Sequence, residues 1–429
     1  MGAFNIGITT VINDDAAYVH ESFSTVGVGT TENKKITDPE ATSSGSAASN
    51  DNFGGSVAVG SGRIVVGIPG GGDPSDNSGS ACIFDLNGNH LEKIIASNGA
   101  QGDQFGYSVA VGSGRIVVGA PFASDTYSYQ GSAYIFDLDG NQLGIITASD
   151  GGAGDNYGLA VAVGCGRIVV GATSYDTPVI NAGGAYIFDL DGNQLGIITA
   201  SNGAVADFFG RSVAVGCGRI VVGSRAPAGG PNTNQGSAYI FDLNGNELGI
   251  ITASNGAAYD QFGYSVAVGD GRIVVGAPYD DVGNVGINTE QGSAYIFDLN
   301  GNQLGIITAS DGVAYDLFGR SVAVGSGMIV VGTPGSTLSG VDITHAEIAY
   351  IYDLDGNNEV KISHSDRRDS GGSVAKDTFG YSAAAGCGRI VVGAPLNYGP
   401  EINSGSAYIF NLPEDSNTYW ERVLEAYRY

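Results

Sequence analysis

Four apolar runs recur along the chain in a fixed order and with different textures. In residues 105–149 they read SVAVG, RIVVGAP, GSAYIFDL and QLGIITAS. Runs that alternate or are continuously apolar, rich in β-branched residues and bounded by Gly, Asn and Asp, predict strands. The connections agree. GSGR between the first two runs leaves room only for a tight turn. DLDGNQ and DLNGNE place Asp-Gly or Asn-Gly between the last two, which predicts a two-residue hairpin with both central residues at positive φ.

The order repeats seven times, each copy opening on an aromatic-glycine anchor: Phe53, Phe105, Tyr157, Phe209, Phe262, Phe318 and Phe379. Each unit of about fifty residues is then an antiparallel four-stranded meander, too small to cover both of its faces. Packing seven of them radially covers those faces, so the expected fold is all-β, a seven-bladed β-propeller. The seventh unit has only three strands, because PEDSNTYW follows Leu412. Ahead of the first anchor, KKITDPEA (Lys34 to Ala41) matches the EKIIASNGA that precedes the second. An N-terminal strand is therefore expected to complete the last blade and close the ring. The predicted organisation is an arm at 1–32, the propeller at 33–412 and a tail at 413–429.

Composition narrows the function. The chain of 429 residues has 71 glycines and 14% charged residues, which suits short strands and tight turns. With 44 acidic against 18 basic residues it carries a net charge of -26, which argues against nucleic acid or anionic membrane as partner. No run approaches a membrane span, the first residues lack the features of a signal peptide, and no N-x-[ST] sequon occurs. Cys165, Cys217 and Cys387 occupy the serine position of GSGR, which predicts free thiols; Cys82 is the fourth cysteine.

Phe-Gly at the head of each unit and Gly-Ala-Pro at the end of its second run (Gly119-Ala120-Pro121, Gly276-Ala277-Pro278, Gly393-Ala394-Pro395) resemble FG-GAP repeats, the units of integrin α-subunit propellers. The resemblance covers roughly residues 34–412 and implies the propeller fold, an architecture used for adhesion, scaffolding and catalysis alike. Many such repeats hold calcium between strands one and two. Here that loop has shrunk to GSGR, GCGR or GDGR, too short to wrap an ion, so no calcium site and no cofactor is expected. The Asp137, Asp139, Asn141 run has its glycine at the wrong place for a calcium loop and reads as a hairpin.

Two charged rings accompany the repeat. Arg63, Arg115, Arg167, Arg219, Arg272 and Arg389 open strand two, with Met328 in the sixth unit; Asp85, Asp137, Asp189, Asp242, Asp298 and Asp353 end strand three, with Asn411 in the last. Ion pairs within each blade are the expected use, a partner-binding ring the alternative. Asp51, Asp103, Asp155, Asp207, Asp260, Asp316 and Asp377 each stand two before an anchor and are expected to bond turn amides.

Nothing in the sequence assembles a catalytic set. His20, His90, His345 and His364 share no repeat position, and G-Y-S-V-A at Gly106 to Ala110 is a strand rather than a nucleophile elbow. The protein is expected not to be an enzyme. Variation concentrates in the loops between strands two and three, nine residues in FASDTYSYQ and thirteen in YDDVGNVGINTEQ, and in SHSDRRDSGGSVAKDT before the last anchor. These loops share one face, and their aromatic and Arg residues are the candidate contacts: Phe122, Tyr127, Tyr129, Tyr175, Tyr259, Tyr279, Tyr315, Arg367 and Arg368. In the tail, Trp420, Val423, Leu424 and Tyr427 at helical spacing form an apolar stripe for assembly.

The expected function is a non-catalytic structural and adhesion module on a virion, a phage or virus surface or tail component. Its termini would dock on other structural subunits, and its loops on a host surface protein or glycan. A secreted or cell-surface integrin-like adhesin, extracellular in location, and a glycan-acting propeller enzyme are the alternatives.

Overall fold

The computed structural model describes residues 32–39, 51–71, 77–176, 179–225, 234–281, 290–335, 347–364, 377–396 and 404–412. Within them the chain forms seven four-stranded antiparallel sheets arranged as the blades of a propeller. In blade 2 the strands are Ser108–Gly112, Arg115–Ala120, Ser132–Phe136 and Gln142–Ile146, from the channel outwards. Blade 7 has Ser382–Gly386, Arg389–Ala394 and Ser406–Asn411, and its outer strand is Lys34–Ile36. Lys34 pairs with Ile409, Lys35 with Tyr408 and Ile36 with Ala407, so the predicted clasp closes the ring.

The core lies between blades. One cluster joins Val65, Ile83 and Ile94 of blade 1 to Phe105, Ile116, Val118 and Phe136 of blade 2. The closing cluster joins Ile36, Val391 and Ile409 of blade 7 to Phe53, Ile64 and Val66 of blade 1. The anchor rings are fully buried and meet strand-three aromatics edge to face, as Phe105 meets Tyr134 at 5.2 Å.

The two glycine motifs form one inter-blade lock. The Gly106 carbonyl of blade 2 lies against Gly67 of blade 1, where any Cβ would collide with it. Ser56 Oγ of blade 1 donates to that same carbonyl at 2.9 Å. Equivalent bonds run from Ser108, Ser212, Ser265, Ser321 and Ser382, the last reaching blade 1 through the Gly54 carbonyl. Blade 3 carries Ala160 at this position.

The two kinds of turn differ from the expected assignment. Positive φ at both central residues occurs between strands one and two, at Ser113 (φ 50°) and Gly114 (φ 74°). Between strands three and four of blade 2 only the glycine is left-handed, Gly140 (φ 89°), in a three-residue loop with a register shift at Ile135/Phe136. The cause is Asp137: its Oδ1 accepts the amides of Asp139 and Asn141, and its Oδ2 the side chain of Asn141. Those bonds hold its carboxyl below the usual range.

The same bonds overturn the expected ion pairs within blades. Arg63 lies beside Asp85 in register, but Asp85 is occupied by its own turn. Arg63 Nε instead reaches the next blade and donates to the Leu138 carbonyl at 3.0 Å, with Asp139 3.3 Å from its Nη2. Arg115, Arg167, Arg219, Arg272 and Arg389 make the same backbone bond to the following blade. At the remaining seam Met328 packs with Leu412 in an apolar cluster.

Strand direction gives the ring two unlike faces. Each inner strand starts at the loop face and ends at the tight turns of the opposite, turn face. Asn33 and Leu412 both lie at the turn face, where the Asn33 amide donates to the Ile409 carbonyl. The flanking segments, residues 1–31 and 413–429, lie outside the described residues.

Candidate binding site at the channel mouth

The residue after each aromatic-glycine anchor differs sharply between blades: Gly55, Tyr107, Leu159, Arg211, Tyr264, Arg320 and Tyr381. All seven line one cavity of about 870 Å³ at the loop-face mouth of the central channel. The lock described above ties the backbone on both sides of this position in blades 1, 2, 5, 6 and 7, while Ala160 leaves Leu159 and Arg211 with the serine bond on one side only.

Four consecutive blades, 4 to 7, contribute an alternating stack. The Arg211 guanidinium lies 4.3 Å from the centre of the Tyr264 ring, and that of Arg320 lies 4.7 Å from the same ring. Arg320 is also 4.3 Å from the Tyr381 ring. Each such contact contributes about 0.5–2 kcal/mol, more as water is excluded. Although burial opposes its charge, the surrounding Tyr264, Tyr381 and Tyr279 push the Arg320 pKa up. Burial, reinforced by neighbouring tyrosines, raises Tyr107 and Tyr279. These shifts keep Arg320 cationic and Tyr107 and Tyr279 as neutral phenols.

Blades 1 to 3 contribute Gly55, Tyr107 and Leu159 to the rest of the lining. Gly55 makes a notch between Tyr381 (36% exposed) and Tyr107 (39% exposed). Asn52, Gln104 and Thr378 bring polar groups to the lining. Glu290 is the sole carboxylate among the described residues of the lining. Arg211 Nε is buried and has no hydrogen-bond partner among the described residues.

The predicted loop contacts are distributed around this cavity. Tyr279 lines it and meets Tyr264 edge to face at 6.1 Å. Phe122 and Tyr129 extend an aromatic chain outwards from Tyr107, at 6.0 and 6.1 Å. Tyr127 and Tyr259 are exposed and Tyr315 is half-buried. Tyr175 is not a surface contact: it is 7% exposed, packs against Tyr186 and donates to Asp150 Oδ2 at 2.6 Å. Arg367, Arg368, Trp420, Val423, Leu424 and Tyr427 lie outside the described residues. Loop variation did not point to Tyr107, Arg211, Tyr264, Arg320 or Tyr381. The signal available for them was the changing third letter of F-G-x-S, a motif kept in six blades and read Y-G-L-A in the third.

The aspartates before the anchors act as turn clasps. Asp103 accepts the Ala100 amide at 2.8 Å, and Asp155, Asp207, Asp260 and Asp316 repeat the bond. Among the described residues no group of three or more His, Cys, Asp or Glu could hold a metal ion. No disulfide joins the four cysteines; Cys82 is buried, and Cys165, Cys217 and Cys387 stand exposed in the tight turns.

The FG-GAP repeat family model matches the chain seven times, over residues 32–84, 89–136, 141–188, 193–241, 246–297, 302–352 and 360–410. No curated protein matches it.

Proposed function

The chain belongs to the FG-GAP repeat family, and from that premise we propose that it is a non-catalytic adhesion module whose cavity face binds a host surface partner or glycan. The FG-GAP propeller fits a structural or adhesion module; the binding face, the kind of partner and the setting are the proposed part. The observation that carries the proposal is the seven-residue ring at the channel mouth. Its members diverge on a backbone that is otherwise repeated, and they bring arginine and tyrosine, the residues that dominate binding hot spots, into one cavity. The non-catalytic reading is supported by the single carboxylate of the described lining, since glycoside cleavage commonly uses two. A virion setting is supported by polarity: both flanking segments leave from the face opposite the cavity, which suits attachment below and recognition above.

The test is adhesion of the intact protein to host-cell or glycan surfaces. The double substitution Tyr107→Ala, Tyr381→Ala is expected to reduce retention at least about tenfold. Asp139→Lys, on the turn face, is expected to leave it unchanged. Loss with Asp139→Lys alone would move the binding surface to the opposite side.

A further inference from the structure

We propose that the cavity is a receptor for a carboxylate-bearing sugar, the acidic end of an oligosaccharide, with the carboxylate on Arg211, Arg320 adding positive charge across the Tyr264 ring, and the pyranose in the Gly55 notch. This rests on reading the cavity face as the binding face and adds the chemistry of the ligand.

Three observations carry it. First, the arginines have no acid paired with them among the described residues. In a chain with 44 acidic residues, neither Arg211 nor Arg320 forms an ion pair among the described residues; both lie on tyrosine faces. A guanidinium carries its N–H donors in one plane, an edge that matches a planar carboxylate with two parallel bonds; Arg320 also spends a donor on the Tyr381 hydroxyl. Arg211 Nε, buried and without a hydrogen-bond partner among the described residues, is one such donor.

Second, the shape next to the cations suits a sugar ring. Tyr107 and Tyr381 flank Gly55, where a side chain would otherwise fill the gap, and their electron-rich faces can pack against C–H groups. Asn52 in the blade of the notch and Gln104 in the next blade line the cavity, and their amides can serve hydroxyls as donors and acceptors. A peptide C-terminus is typically captured by a nest of backbone N–H groups, whereas the donors here are side chains.

Third, the charge pattern selects a single carboxylate over a polyanion. A net charge of -26 repels densely sulfated chains at long range, while two cations inside the cavity reward one anion that reaches them.

Isothermal titration of the whole protein tests this with sialyllactose and trigalacturonate as acidic probes. Lactose and trigalacturonate methyl ester serve as neutral counterparts, and a short peptide with a free C-terminus as the other carboxylate source. The expected result is binding of at least one acidic sugar, about tenfold or more tighter than its neutral counterpart. Arg211→Gln with Arg320→Gln should abolish that preference. Gly55→Tyr, which gives blade 1 the residue of blades 2, 5 and 7, should block the acidic sugar without unfolding the ring. Equal binding of neutral and acidic sugars would overturn the carboxylate assignment while leaving the binding face in place. Binding of the peptide alone would overturn the sugar, and no binding by any probe would overturn the receptor. Loss of adhesion to host surfaces in the separate assay remains the measure of the face itself.

Discussion

At the scale of single residues, burial sets the protonation of the anchor aspartates. Removal from water, reinforced by the carboxylates of Asp280 and Asp281, pushes Asp260 from its ordinary 3.8 up to about 7, although the Ala257 amide works the other way. Asp51 rises to about 6, through burial first and Asp38 second. A carboxyl with a raised folded-state pKa binds more protons folded than unfolded, so stability falls as pH rises from about 4 to about 7. The melting temperature should therefore drop between pH 5 and pH 8, and Asp260→Asn, which keeps an acceptor for Ala257, should drop less. Parallel thermal scans at the two pH values check this, and equal slopes would remove Asp260 from the account. The role of these aspartates was legible because a short acidic side chain at a fixed offset from a turn has few other uses. The protonation was not, because it depends on which carboxylates the fold brings near.

At the scale of strands and blades, the repeat is read most fully in its seams. Arg115 Nε donates to the Leu190 carbonyl of the next blade at 3.1 Å, with Asp191 3.5 Å from its Nη2. A bond from a charged donor contributes about 1.5–3 kcal/mol, and an exposed ion pair about 0–1. Arg115→Met, the residue found at the sixth seam, should lower the unfolding free energy by about 1–3 kcal/mol in urea titration. Asp191→Asn should cost less than about 1 kcal/mol, since other blades already carry asparagine there. The reverse order would mean that the ion pair, not the backbone bond, ties the blades. Strand texture and turn spacing sufficed to place the four strands of each unit. They could not show that Arg63 bypasses Asp85, because that choice depends on turn amides saturating the aspartate first.

For the whole molecule, closure rests on three residues of strand. Ile36 is 4% exposed in the cluster that joins blade 7 to blade 1, and its side chain alone contributes about 1.5–3 kcal/mol by burial. Deleting residues 1–36 should lower the denaturation midpoint and expose the Ser406–Asn411 edge to association between chains, visible by light scattering. A deletion that melted like the intact protein and stayed monomeric would show the clasp to be dispensable. The missing strand was legible as a count, three strands where six units had four. The cavity was not, since it exists only when seven separated letters converge.

The clasp also decides how the ring bears tension. Its two strands run antiparallel, and Asn33 and Leu412 leave side by side at the turn face. A pull between the two ends would peel the ladder one bond at a time, the geometry in which paired strands resist least. A pull between the cavity and the N-terminal flank runs along the strands and loads the whole ladder in shear, because the bonds lie across that direction. A module held from below by its N-terminal flank and gripping above thus meets force along its stronger axis.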